Sequence, residues 1–169
     1  MGELERVDNI IQSIEQAFAG VPRGSITLHE AEVLDSYGTD AERQDARSLD
    51  TEDDWRQVPD SSIEECPVAL SFVDPESWRF YLPAYMRFGL KFLTDRNNGA
   101  IDHAIYSLDK GENPNLTDYK LERFRTLNVE QARAVQEFLA FACENEDFCD
   151  GRIARNALEA YWSDAAGGA

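Results

Sequence analysis

Hydrophobic positions recur at steps of three and four along most of this chain, and the intervals where the rhythm fails are as informative as those where it holds. In ELERVDNIIQSIEQAF the residues Leu4, Val7, Ile10, Ile11, Ile14, Ala17 and Phe18 form one apolar stripe, which predicts a helix with a buried face. Gly20 to Pro22 end it. TLHE then puts Thr27 and Glu30 at capping-box spacing and predicts a short helix through Leu34 and Tyr37, ending near Gly38.

The rhythm fails over residues 39–62, TDAERQDARSLDTEDDWRQVPDSS, where apolar residues are sparse and Asp50, Glu52, Asp53 and Asp54 cluster. This predicts an acidic loop with at most a frayed turn over Ala41–Arg47, anchored by Trp55 and Val58. Ser62 and Glu65 offer another capping pair, with Pro67 limiting the helix that follows. Asp74 and Pro75 are a strong helix start.

The segment SWRFYLPAYMRF carries five aromatic residues, Trp78, Phe80, Tyr81, Tyr85 and Phe88, around Pro83. An interior proline lacks a donor and clashes with the carbonyl four residues back, so the expected arrangement is two helices, Glu76–Tyr81 and Pro83–Leu93. Aromatics at helical spacing are predicted to be core. Beyond a DRNNGA turn, Ile101, Ile105 and Leu108 mark a short helix, whereas LTDYKLERFRTL reads equally as helix or extended chain. Asn128 and Gln131 cap a helix with a stripe of Val129, Ala132, Val135, Leu139, Ala142 and Cys143, and a last helix from Asp150 buries Ile153, Ala157, Tyr161 and Trp162 before a frayed tail over 163–169. The fold class is mainly α: a single compact helical domain over residues 1–169 with irregular connections and one proline-divided central helix.

The stretches Trp55–Pro59, ALSFVDPESWRFYLPAYM, NVEQARAVQEFLAF and ALEAYW together resemble a family of uncharacterised bacterial proteins that share a Tyr-Leu-Pro-Ala core. The resemblance spans roughly residues 5–162 and implies a bacterial, mainly helical, stand-alone domain with no assigned activity.

Chemistry is mostly excluded. The odd cysteines Cys66, Cys143 and Cys149 have no CxxC spacing, which indicates neither a disulfide framework nor a zinc site; Cys143 is expected buried and Cys149 half-exposed. HEAEV, beginning at His29, lacks the second histidine of a zinc-protease helix, and His103 stands alone, so both histidines read as structural or surface residues. Aligning Gly151 with the glycine of a calcium loop puts Phe148 at a ligand position. No glycine-rich phosphate loop or nucleophile elbow occurs, and no metal, cofactor or catalytic residue is predicted. Without a signal-peptide pattern, a myristoylation motif or a long apolar run, the expectation is a soluble, cytoplasmic protein that binds no membrane.

Charge is the strongest remaining signal. The chain has 33 acids against 16 bases, and residues 1–60 carry 15 acids and 5 bases, a net of −10. Such a balance repels nucleic acid and attracts basic partners. The leading expectation is therefore a non-catalytic acidic binding protein of immunity or antitoxin type, in which Asp50, Glu52, Asp53 and Asp54 steer a basic partner and Trp55 anchors it. The alternatives are a small-molecule binder or enzyme with a carboxylate and aromatic pocket near Pro83, a nucleic-acid mimic, and halophilic solvation, the last prompted by only three lysines, Lys91, Lys110 and Lys120.

Overall fold

The computed structural model describes residues 2–95 and 99–167. The middle of the predicted DRNNGA turn, Arg96–Asn98, and the end of the predicted tail lie outside the described residues. Helices α1 (Glu3–Ala17), α2 (Leu28–Asp35), α3 (Asp40–Arg47), α4 (Asp60–Glu65), α5 (Pro75–Lys91), α6 (Ala100–Leu108), α7 (Pro114–Phe124), α8 (Val129–Glu144) and α9 (Gly151–Ala157) follow in order. No strand occurs among the described residues, and the mainly α class holds. Two 3₁₀ turns, Trp55–Gln57 and Ala69–Ser71, brace the connections, and α9 runs on through a π-helical turn, Leu158–Trp162, into Ser163–Ala165.

The starts are written locally. Glu30 accepts the Thr27 N–H at 3.2 Å ahead of α2, Asn128 and Gln131 cap α8 reciprocally, and Asp74 accepts from the Ser77 N–H ahead of Pro75 in α5. In α1 the residues Val7, Ile10, Ile14 and then Phe18 turn inward, but Leu4 is 83% exposed, because the first turn projects past the neighbours that cover the rest of the stripe. Val129, also placed in a stripe, is exposed at the first turn of α8.

Pro83 does not divide the central helix: α5 is continuous from Pro75 to Lys91. Twelve of its residues between Ser77 and Leu90 are buried, including all five aromatics. Burying one large apolar side chain stabilises by about 1.5–3 kcal/mol, so this set outweighs the roughly 3 kcal/mol that an interior proline costs. Tertiary burial decides the local conformation here.

Around α5 lie α1, α4, α6 and α7, while α8 joins α1 to α9. Helices α5 and α6 approach closely at Gly89, where a Cβ would stand 2.7 Å from Ile101 Cβ. At the other end Phe124 of α7 packs against Trp78, Tyr161 and Trp162, with ring centroids 5.8, 5.0 and 4.8 Å apart. In the last helix the expected Ala157 and Trp162 are buried together with Ala154, whereas Ile153 and Tyr161 are only half-buried. The extra residue per turn of the π-helical segment is what swings Trp162 inward, where Nε1 donates to the Leu108 carbonyl at 2.8 Å. The cysteines are also reversed from expectation: Cys149 is buried over the end of α8, and Cys143 is half-buried.

Candidate functional site

Residues 39–62, predicted to be a loop, are ordered by polar contacts that no apolar period reveals. Thr39 and Glu42 cap α3 reciprocally, and Pro59, not Ser62, precedes α4. Helix α3 is anchored to α2 by charge. Glu30, only 5% exposed, accepts from Arg43 Nη2 at 2.9 Å and Arg47 Nε at 3.2 Å.

Of the five predicted binding residues, the fold draws two, Asp50 and Trp55, inward. Asp50 is 5% exposed: its carboxylate accepts the His29 N–H at 2.8 Å and holds His29 Nδ1 at 2.7 Å, while its carbonyl accepts from Arg23 at 2.6 Å. Trp55 is 1% exposed, because its Nε1 donates to the Phe18 carbonyl at 2.9 Å and the Arg87 guanidinium covers the ring at 5.0 Å. It is a core residue and not a surface anchor. Asp54 caps the 3₁₀ turn and pairs with Arg56 at 2.6 Å, contacts that hold its carboxyl below the usual range. Asp53 is exposed and Glu52 half-exposed, and the Glu52 carbonyl accepts from Arg23 at 3.2 Å.

His29 is clamped at both ends, since Nε2 meets Glu65 at 3.3 Å opposite Asp50. Burial works against its charge, but the hydrogen bonds to Asp50 and Glu65 outweigh it and the pKa lies above the ordinary value. Carboxylates at both ring nitrogens thus favour the charged form of His29. Nearby Glu32 is pushed up by burial, and the Cys66 thiol rises to about 12 for the same reason, which makes it inert as a nucleophile. Among the described residues no group of three or more His, Cys, Asp or Glu side chains is arranged to hold a metal ion. Around the position of the pocket predicted near Pro83 the side chains are packed: Pro83 is buried, Tyr81 accepts the Leu28 N–H, and Tyr85 donates to the Cys66 carbonyl.

A different residue stands out at the surface. Tyr37 is 97% exposed and holds φ at +55°, the one positive-φ non-glycine among the described residues. It occupies the left-handed position of a Schellman motif closing α2, in which Gly38 N–H donates to Val33 O at 2.8 Å and Tyr37 N–H to Leu34 O at 3.2 Å. Glycine is the usual residue at that position, but here it comes one place later, where a Cβ on Gly38 would stand 2.4 Å from Val33 Cγ1. A tyrosine in left-handed conformation costs about 1–2 kcal/mol, and its ring touches nothing that offsets this. Exposed Asp35 and Asp40 flank it in the chain.

A model of the family of unknown function DUF6714 matches residues 6–166. The chain belongs to that family. No curated protein and no solved structure matches it significantly. Family membership therefore bounds the domain, which takes in both the α2–α3 hairpin and the aromatic α5, without assigning it an activity.

Proposed function

We propose that the protein is a non-catalytic binding module whose α2–α3 hairpin docks on a basic protein, with Tyr37 as the aromatic anchor and Asp35, Asp40 and Asp45 as its acidic surround. An immunity- or antitoxin-type inhibitor of a basic toxin is the role that this chemistry fits. The observation that carries the reading is Tyr37 itself: a large ring, almost wholly exposed, held at an unfavourable φ among carboxylates. Backbone strain at an exposed residue points to use rather than to stability.

Charge supports the same reading. All five arginines of residues 2–60 are turned to internal acceptors: Arg6 to Glu144, Arg23 to the carbonyls of Asp50 and Glu52, Arg43 and Arg47 to Glu30, and Arg56 to Asp54. The exposed carboxylates Asp35 and Asp45 are left without a basic neighbour among the described residues, and fully exposed Asp40 has only Arg43 at 3.7 Å. Such a surface steers a cationic partner and weakens as salt rises, since exposed charges are screened over about 8 Å at physiological ionic strength. Tyrosine flanked by charge is a common interface anchor.

The test is capture of partners from the source cell's lysate at low salt, beside a variant with Asp35, Asp40 and Asp45 changed to Asn. A basic protein retained by the wild type and lost by the variant, with Tm unchanged, supports docking here. Equal retention by both proteins overturns it.

A further inference from the structure

A cavity of about 360 Å³ opens between α6, α7 and the segment running from Pro67 to Ser71. In a chain with 33 acids and 16 bases, the charged groups lining it are Lys120, Arg123 and His103, and no carboxylate is among them. Nor is either cation neutralised by an acid at salt-bridge distance. Lys120 Nζ donates to the Tyr106 carbonyl at 3.0 Å and the Asp109 carbonyl at 2.6 Å. Arg123, 2% exposed, donates from Nη1 to Leu70 O at 2.7 Å and from Nη2 to Val73 O at 2.7 Å, to Ser71 O at 3.3 Å and to the Tyr119 hydroxyl.

Backbone carbonyls and the Tyr119 hydroxyl are thus the direct hydrogen-bond partners of both cations, and the Nε of Arg123 is buried with no hydrogen-bond partner among the described residues. Burial lowers the pKa of both, against a partial offset from Asp109 for Lys120 and from Tyr119 for Arg123. Burial likewise lowers the pKa of His103. Cations desolvated in this way gain most from an anion that enters beside them. The rest of the wall is mostly apolar, with Pro67, Val68, Leu70 and Leu116 beside the rings of Tyr106 and Tyr119, and Ser71 and Ser107 add two hydroxyls.

We propose that this cavity binds a small monocarboxylate with an apolar or aryl body, independently of the acidic hairpin. Its carboxylate would take the N–H of Lys120 that the two carbonyls leave over, and its body would lie against Leu116, Val68 and Tyr106. The volume lies at the lower end of the roughly 300–1,000 Å³ typical of small-molecule pockets. A single available ammonium donor suits one carboxylate, whereas a phosphate dianion with more acceptor oxygens would leave most of them unpaired.

The test titrates benzoate, phenylacetate and hexanoate against the isotope-labelled protein, with benzamide and inorganic phosphate alongside, and follows the amide resonances of α6 and α7. Saturable shifts centred on Lys120 and Tyr106 for a carboxylate, at least about tenfold stronger than for benzamide, are expected. Lys120→Met should weaken that binding about tenfold. Because Lys120 also holds two carbonyls, Leu116→Trp provides a second variant: Leu116 is 52% exposed, so the larger ring fills the cavity and abolishes binding with Tm unchanged. No saturable shift with any of the three carboxylates overturns the proposal. Equal binding of benzamide, or phosphate binding alone, likewise contradicts a monocarboxylate site.

Discussion

The α2–α3 hairpin and helix α5 belong to one domain but are held by opposite means. Helix α5 is secured by rings and aliphatic side chains packed on nearly every side, enough to carry a proline through its interior. The hairpin is held by a polar lattice in which Glu30 gathers two arginines and Asp50 grips both the backbone and the ring of His29. Apolar burial is non-directional and tolerates local faults, whereas a polar lattice depends on each member being present. The acidic third therefore pairs its bases within the chain and leaves Asp35 and Asp45 at the surface, which is also what would suit it to a cationic partner.

The largest expected effect breaks the apolar side of the contrast. Tyr85→Ala removes a wholly buried ring and its bond to the Cys66 carbonyl, and should cost about 3–5 kcal/mol in chemical denaturation. Melting like wild type would show that α5 is not the core. Next comes the polar side: Glu30→Ala leaves Arg43 and Arg47 without their acceptor. Because both guanidiniums can still reach water, about 2 kcal/mol is expected, less than a fully buried pair would lose. A loss confined to the hairpin, read by hydrogen exchange over α2 and α3, would sharpen the distinction.

A third prediction concerns pH. The pKa of His29 is raised in the folded state, so its contribution is complete below the unfolded value of about 6.5 and is lost as pH rises through the folded value. His103 is depressed, and its effect is confined to pH below about 6.5. As pH rises above about 6.5 the wild type should lose stability and His29→Gln should not. Parallel curves for the two proteins would remove His29 from the lattice. Smallest of all is Asp53→Asn, which touches no partner and should leave Tm unchanged.

What was legible in the sequence follows the same division. The helix starts at Thr27 and Asn128, the burial of Ile101, Ile105 and Leu108, and the aromatic core around Tyr85 could be read because they depend on local spacing or on apolar periodicity. The ordering of residues 39–62 could not, since it rests on pairs such as Glu30 with Arg47 and His29 with Asp50, whose meeting is a tertiary fact. Trp55 read two ways, as the segment's anchor to the core and, beside four acids, as a surface aromatic; the first holds, because the Phe18 carbonyl at the end of α1 draws its indole N–H inward. Tyr37 left one faint trace, a tyrosine directly before the glycine that closes a helix. Likewise, the positive cavity depends on Lys120 and Arg123 lying one helical turn apart with no acid opposite, which only the fold determines.

The most direct test of the docking account is capture of a basic partner by the Tyr37→Gly protein at low ionic strength, with Tm measured on the same sample. Glycine relieves the left-handed strain, so Tm should rise, by the equivalent of about 0.5–1 kcal/mol, while the captured partner is lost. Undiminished capture alongside the higher Tm would contradict the account, because Tyr37 would then be strained for no purpose at the interface.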